Sequence, residues 1–269
     1  MTSAQLWTFI IRGLRIDLSY RLSFVGRHVG QLVYLLFLFF LGRVVESGSP
    51  ALLDRYGDRY FTFLLVGGVF SQYLTTGMRL LPQAVRDEVM VGSLECILVT
   101  PVPTVLALLG PTLWAQIEAT LALGGYLLIG GGLMGADFSH ANWGAAIVIT
   151  VLSYVCLLAW GILSVAFVVV FKRTDPVNSL IGATISFFSG VYFPIAVLPI
   201  WLRAFSYIFP LTYSLDLLRS TLLDGTPLSA LGSYLWILLL LTIVSLPLSL
   251  LALDRSVKRA KQTGTLAHY

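Results

Sequence analysis

Apolar runs long enough to cross a bilayer recur six times along this chain, at Leu22–Val45, Tyr60–Leu81, Val105–Met134, Trp143–Phe171, Val177–Leu198 and Gly232–Leu253. A bilayer core takes about 20 apolar residues per helix, so each run predicts one transmembrane helix. The third and fourth have length to spare for tilt. Pro111 removes a backbone donor near the start of the third run and predicts a kink there. Residues 1–21 follow a different period. Leu6, Ile10, Leu14 and Leu18 recur every four positions with Trp7 and Ile11 beside them, while Thr8, Arg12, Arg15 and Ser19 occupy the other side. That spacing predicts an amphipathic helix lying in the membrane interface; a plain leader into the first span is the competing reading.

Composition agrees with the pattern. The chain has 269 residues, 57% hydrophobic and only 11% charged, with mean hydropathy +0.88. A soluble domain of this length needs far more polar residues to cover its surface. The expectation is one all-α integral membrane domain over residues 1–269. The net charge of +4 carries no nucleic-acid signal, because the basic residues gather at the ends of apolar runs. With both termini inside, the inner segments hold Arg12, Arg15, Arg21, Arg27, Arg79, Arg86, Lys172, Arg173, Arg255, Lys258, Arg259 and Lys261; the outer ones hold Arg43, Arg55, Arg59, Arg203 and Arg219. The excess of inner Lys and Arg predicts cytoplasmic termini in a plasma membrane, most simply a bacterial cytoplasmic one. The first twenty residues show no cleavable-signal pattern. Cys96 and Cys156 are expected to be free thiols.

Two polar interruptions stand out. Arg86, Asp87, Glu88 and Glu95 fall within ten positions, in a segment too polar to enter the bilayer. Residues 82–104 are therefore expected to form a cytoplasmic loop that meets a soluble partner. Glu88 and Glu95 lie seven apart and share a face if one helix spans both. Gly92 can end that helix and Pro101 prevents its continuation. Residues 194–228 are too apolar for an ordinary loop and too broken by Pro194, Pro199 and Pro210 for a span. Two short re-entrant helices at the outer side fit best, with a surface-lying pair as the alternative. Within the third span, Glu118 must face protein, water or a partner. Either a carboxyl satisfied inside the bundle or a contact with cargo answers that need. Arg79 is placed to snorkel.

Other chemistry is missing from the sequence. The three lysines follow Phe171, Val257 and Ala260, so none completes a phosphate-binding loop. Gly130, Gly131, Gly132 and Gly135 suit a relaxed helix end or close packing. His28, His140 and His268 are too dispersed for a metal cluster, and no Ser/His/Asp arrangement is evident. The chain is expected not to be an enzyme and to hold no cofactor or metal.

The island resembles the coupling segment of type-2 ATP-binding-cassette (ABC) exporter permeases, roughly Glu-x-x-Gly-Thr-Leu-Glu-x-Leu-x-x-Thr-Pro. Gly92, Leu94, Glu95, Leu98, Thr100 and Pro101 fit, Ser93 replaces the usual Thr, and Glu88 stands at a looser offset. Ser189-Gly190-Val191-Tyr192-Phe193-Pro194, with Leu198-Pro199 and Pro210-Leu211-Thr212-Tyr213, is similar to the same family's re-entrant region. The resemblance covers nearly the whole chain. It implies a half-permease that pairs with a second copy or a paralogue and with two separate ATPase subunits, which would hold the ATP and Mg. Arg86, Asp87, Glu88, Gly92, Ser93, Leu94, Glu95, Thr100 and Pro101 would then couple to the ATPase, and Tyr192, Phe193, Pro194, Pro199 and Pro210 would form an outer gate. The small-residue row Gly182, Ser186 and Gly190 would lie at the dimer seam, or pack within one half. Aromatics of the first span (Tyr34, Phe37, Phe39, Phe40) and the fifth (Phe187, Phe188) would border the path, with Glu118; lipid-facing aromatics are the simpler account. Such a path suits export of an amphiphilic, drug-like or lipid-linked substrate. Polysaccharide or lipo-oligosaccharide export competes closely. An ion-gradient-driven carrier lacks the several buried carboxylates it would need, and a membrane scaffold or enzyme leaves the coupling motif unexplained.

Overall fold

The apolar runs become helices whose ends move wherever a proline or a polar extension intervenes. A computed structural model describes residues 3–48, 60–91, 109–171, 182 and 184–262, and among these the ordered elements are helices. The amphipathic segment is α1 (Ser3–Ser19) and the first run α2 (Arg21–Gly48). The second run becomes α3 (Tyr60–Val91), which continues unbroken past Pro82. The third starts as a 3-10 turn, Gly110–Thr112, and proceeds as α4 (Leu113–Gly132). Pro111 lies in that 3-10 turn, which follows directly on the helical Leu109 (φ −75°, ψ −32°). The fourth run is α5 (Trp143–Phe171), matching its expected bounds. The last is α8 (Gly232–Gln262), carried beyond Leu253 by a polar turn in which Lys258 Nζ meets Asp254 Oδ2 at 2.6 Å.

The fifth run behaves differently. Residues 182 and 184–188 are helical, but the chain leaves the helix at Phe188 and turns through 189–193. Gly190 sits there at φ +71°, and a Cβ on it would stand 2.8 Å from Ile195 Cγ1. Gly190 therefore belongs to a turn that glycine permits, and the helical row of small residues ends before it. A 3-10 turn (Ile195–Val197), α6 (Ile200–Ser206) and α7 (Pro210–Leu222) follow.

Among the described residues, four helices are long and apolar enough to cross a membrane: Arg21–Glu46, Gly110–Gly132, Trp143–Val169 and Gly232–Arg259. α3 has the length, but Gly67, Gly68, Ser71, Gln72 and Thr75 dilute its apolar character. Its surroundings explain this, because residues 60–71 are all buried. A helix enclosed by protein need not be oily.

α5 is the hub and packs against α3, α7 and α8. The main core gathers Leu38, Phe63, Leu74, Ile149, Leu157, Leu215 and Leu238. A second cluster at the opposite end joins Leu81 and Val85 of α3 to Val165 and Val168 of α5 and Leu253 and Val257 of α8. In lipid, burying leucine against leucine gains little over leaving it among acyl chains, so close fit decides which helices meet. One such close fit, backbone against backbone, joins α3 and α5: a Cβ on Gly161 would lie 2.8 Å from the Gly77 carbonyl oxygen and 3.0 Å from Met78 Cα.

Candidate functional site

Two polar constellations lie at opposite ends of the bundle. At one end, the break before α7 is set by Phe209, held extended (ψ 128°) as a residue preceding proline must be, and Pro210 opens the helix. α7 then runs through the protein. Eleven of its residues are buried, from Pro210 to Leu222, against α3, α5 and α8. Its hydroxyls are absorbed by nearby carbonyls: Thr212 Oγ1 donates to Ser206 O at 2.6 Å and Ser214 Oγ to Pro210 O at 2.9 Å. α6 contrasts with it, leaving Ile200 and Trp201 exposed. The pair is thus neither uniformly surface-lying nor uniformly enclosed.

Arg219 of α7 is only 6% exposed. Its Cζ lies 3.5 Å from the centre of the Phe63 ring, and Nη2 donates to Val191 O at 3.0 Å. Gly67 makes room, since a Cβ there would collide with the guanidinium. The same turn is anchored by Tyr192. Its hydroxyl lies 3.2 Å from that of Tyr34, and its carbonyl accepts from Tyr60 Oη at 2.9 Å. A residue expected at a gate and one expected on the path therefore touch. Phe193 packs edge-on to Phe187, with ring centres 5.5 Å apart, and Phe187 packs likewise on Phe188 at 5.3 Å. Pro194 and Pro210 are buried, while Pro199 is exposed. Beneath these turns lies a cavity of about 500 Å³ that reaches Arg203, Arg219 and the start of α8.

At the other end, Asp17 of α1 receives both Arg27 Nη2 (2.7 Å) from α2 and the Trp114 indole N–H (2.6 Å) from α4. Arg27 also reaches Glu118 Oε1 at 3.5 Å, and His28 Nε2 lies 3.8 Å from the same oxygen. Tyr126 donates to Gln31 one step further along. Glu118 is thus enclosed by cationic and polar neighbours, the arrangement expected of an acid satisfied inside a bundle. α1 lies directly on α4 here, because Gly13 has no Cβ to strike Trp114. Trp7 and Leu18 of α1 stay exposed. A double-mutant cycle of Asp17→Ala and Arg27→Ala is expected to show a coupling of about 1 kcal/mol in thermal stability. Additive effects would mean that the pair does not tie α1 to α2.

The expected ATPase-coupling residues fall largely elsewhere. α3 carries Arg86 and Asp87, which approach each other at 3.7 Å, Asp87 being exposed. Glu88 lies on the same helix, whereas Gly92, Ser93, Leu94, Glu95, Thr100 and Pro101 lie outside the described residues. Gly182 and Ser186 are half-buried, and Phe37 and Phe187 are exposed. Among the described residues no cluster of potential metal ligands occurs, and Cys156 is a buried free thiol. Sequence reasoning missed Asp17, Tyr60 and the burial of Arg219. A signal for the last existed in an arginine placed within a proline-bounded apolar segment.

A family model described as "ABC-2 family transporter protein" matches residues 54–251. No curated protein matches the chain.

Proposed function

Because the chain belongs to the ABC-2 transporter family and is a multi-pass membrane protein of a type that pairs with an ATP-binding subunit, we propose that it is the membrane half of an ATP-driven exporter. It carries an amphiphilic, drug-like or lipid-linked substrate out of the cytoplasm or the inner leaflet. The family match is the observation that supports this most strongly. In this reading α3 and the run ending at Phe188 complete six spans with the four apolar helices, and both termini are cytoplasmic, as the distribution of Lys and Arg favours. The α6–α7 end is then the outer one. A second copy or a paralogue completes the path, and the ATP and Mg reside in two separate ATPase subunits.

The far end of α3 supports the coupling role. Val85 is the last residue of the helix in the described core, and Asp87, two positions on, is exposed to solvent. A rigid helix running from the core to the partner is a simple way to transmit displacement. Tagging the chain, extracting it gently from its native membrane and identifying what accompanies it tests the proposal. A stoichiometric soluble ATPase is expected, lost when Glu88 and Glu95 are together replaced by lysine. Glu95→Lys alone is expected to uncouple ATP hydrolysis from transport while leaving expression intact. A chain that purifies without any ATPase would sink the exporter reading.

A further inference from the structure

The surface of α1 divides into three sectors. Phe9, Gly13 and Asp17 point into the protein. A Cβ on Gly110 would lie 2.8 Å from Phe9 Cε2, Gly13 backs onto Trp114, and Asp17 holds Arg27 and the Trp114 indole. Trp7 and Leu18 form a second sector, apolar and exposed. At about 3.6 residues per turn, Arg12 and Arg15 fall on a third, roughly a quarter turn round from the apolar one. Both arginines are exposed, and among the described residues neither side chain has a hydrogen-bond or ion-pair partner. An open groove of about 610 Å³ runs along this third sector, lined by Ile11, Arg12, Arg15, Ile16 and the exposed phenol of Tyr20.

The positive charge of this sector is not balanced from within α1. Asp17 is the one acid of the helix, and it is turned inward and engaged. Arg21, exposed at the start of α2, adds to the excess. Arg12 and Arg15 are three positions apart and therefore neighbours on the helix surface, so two planar forks are available to one phosphate. An acidic soluble protein would answer the charge and leave Trp7 and Leu18 in water beside it. A zwitterionic bilayer would cover those two and leave the charge unanswered. An anionic phospholipid satisfies both sectors at once, with its phosphate on the guanidinium groups and its acyl chains along the apolar side. Ile11 stands on the boundary between the two sectors, where the glycerol must pass.

We propose that the basic sector of α1 is a binding site for an anionic phospholipid, whose phosphate sits between Arg12 and Arg15. The site goes beyond the exporter reading and needs only a membrane-embedded chain; that the leaflet is the inner one does rest on the cytoplasmic termini of that reading. The lipid is a bound structural partner and not cargo. It holds α1 from the membrane side, as Asp17 holds it from the protein side.

Native mass spectrometry of the full chain in detergent tests the site. The chain is titrated with phosphatidylglycerol or with phosphatidylcholine of the same acyl chains, and glycerophosphoglycerol, the anionic headgroup without chains, is the soluble competitor. The first phosphatidylglycerol is expected to bind about tenfold tighter than the first phosphatidylcholine. Arg12→Gln and Arg15→Gln should each weaken it about fivefold and together about 25-fold, the worth of one and of two arginines at an anionic surface. Arg255→Gln, which removes an exposed arginine of α8, is the control for general charge and should leave that affinity unchanged. Because Arg12 and Arg15 hold no described residue, the variants should melt like the parent. Four results would overturn the assignment: equal affinity for the two lipids, losses no larger than that of Arg255→Gln, displacement of the lipid by glycerophosphoglycerol at matched concentration, or a double variant that keeps its lipid and loses a co-purifying ATPase. The last would make this face the dock of an acidic protein. Loss of the lipid site with the ATPase still co-purifying from the parent chain would leave the exporter reading standing.

Discussion

Arg219→Ala is expected to lower the thermal midpoint of the purified protein by roughly 6–12 °C, the equivalent of about 3 kcal/mol for a domain of this size. The desolvated contact with the Phe63 ring at 3.5 Å contributes about 2 kcal/mol. The charge-assisted bond to Val191 O at 3.0 Å adds about 1.5 kcal/mol or more, and its loss leaves that carbonyl without this donor. Lysine should not rescue, because a compact ammonium offers no planar face to the ring and needs more water around it. A midpoint within about 2 °C of the parent would show that the arginine is not part of what holds α7 in place. Fluorescence-detected melting in detergent is sufficient to read either result.

The second large effect is expected where α3 crosses α5. A methyl on Gly161 would press on the Gly77 carbonyl oxygen at 2.8 Å and on Met78 Cα and O at 3.0 Å. These are backbone atoms of a buried helix and cannot swing aside, so the helices must separate. Gly161→Ala should cost about 1–3 kcal/mol and Gly161→Val more, the range seen when extra atoms are forced into a filled interior. Gly77→Ala supplies the internal comparison. Its new methyl would meet the Tyr154 ring at 2.9 Å, and a side chain can rotate away. Gly77→Ala is therefore expected to be the milder change; equal midpoints for the two alanine variants would refute the backbone-contact account.

The limits of the sequence follow from the range of the forces involved. Apolar runs are local, and α2, α5 and the start of α8 emerge within a few residues of the runs that predict them. Helix ends set by polar side chains are less visible, as at Asp254 and Lys258, where a bridge of four-residue spacing extends α8 past its oily part. Pro82 reads as a stop but is passed without a break, because one missing donor does not outweigh the packing of Leu81 and Val85 on α5 and α8. Long-range satisfaction is hardest to see. Arg219 counts as a topological charge until Phe63, 156 positions away, is found beneath it. Asp17 looks like one polar residue among several on α1 until Trp114 is found donating to it. The coupling motif is the reverse case, since it is legible in the sequence while most of it lies outside the described residues.

α7 is buried over most of its length, and its last turn is stitched to the approach to α5, where Asn142 N–H donates to Thr221 O at 2.9 Å. A helix packed on α3, α5 and α8 at once is not free to swing alone. Peeling it away would uncover Leu211, Leu215, Leu218 and Leu222 together and break the Arg219 stack. At this end α3, α5, α7 and α8 therefore hold together as one packed block. α6, with Ile200 and Trp201 exposed, is the element at this end held least closely by that block.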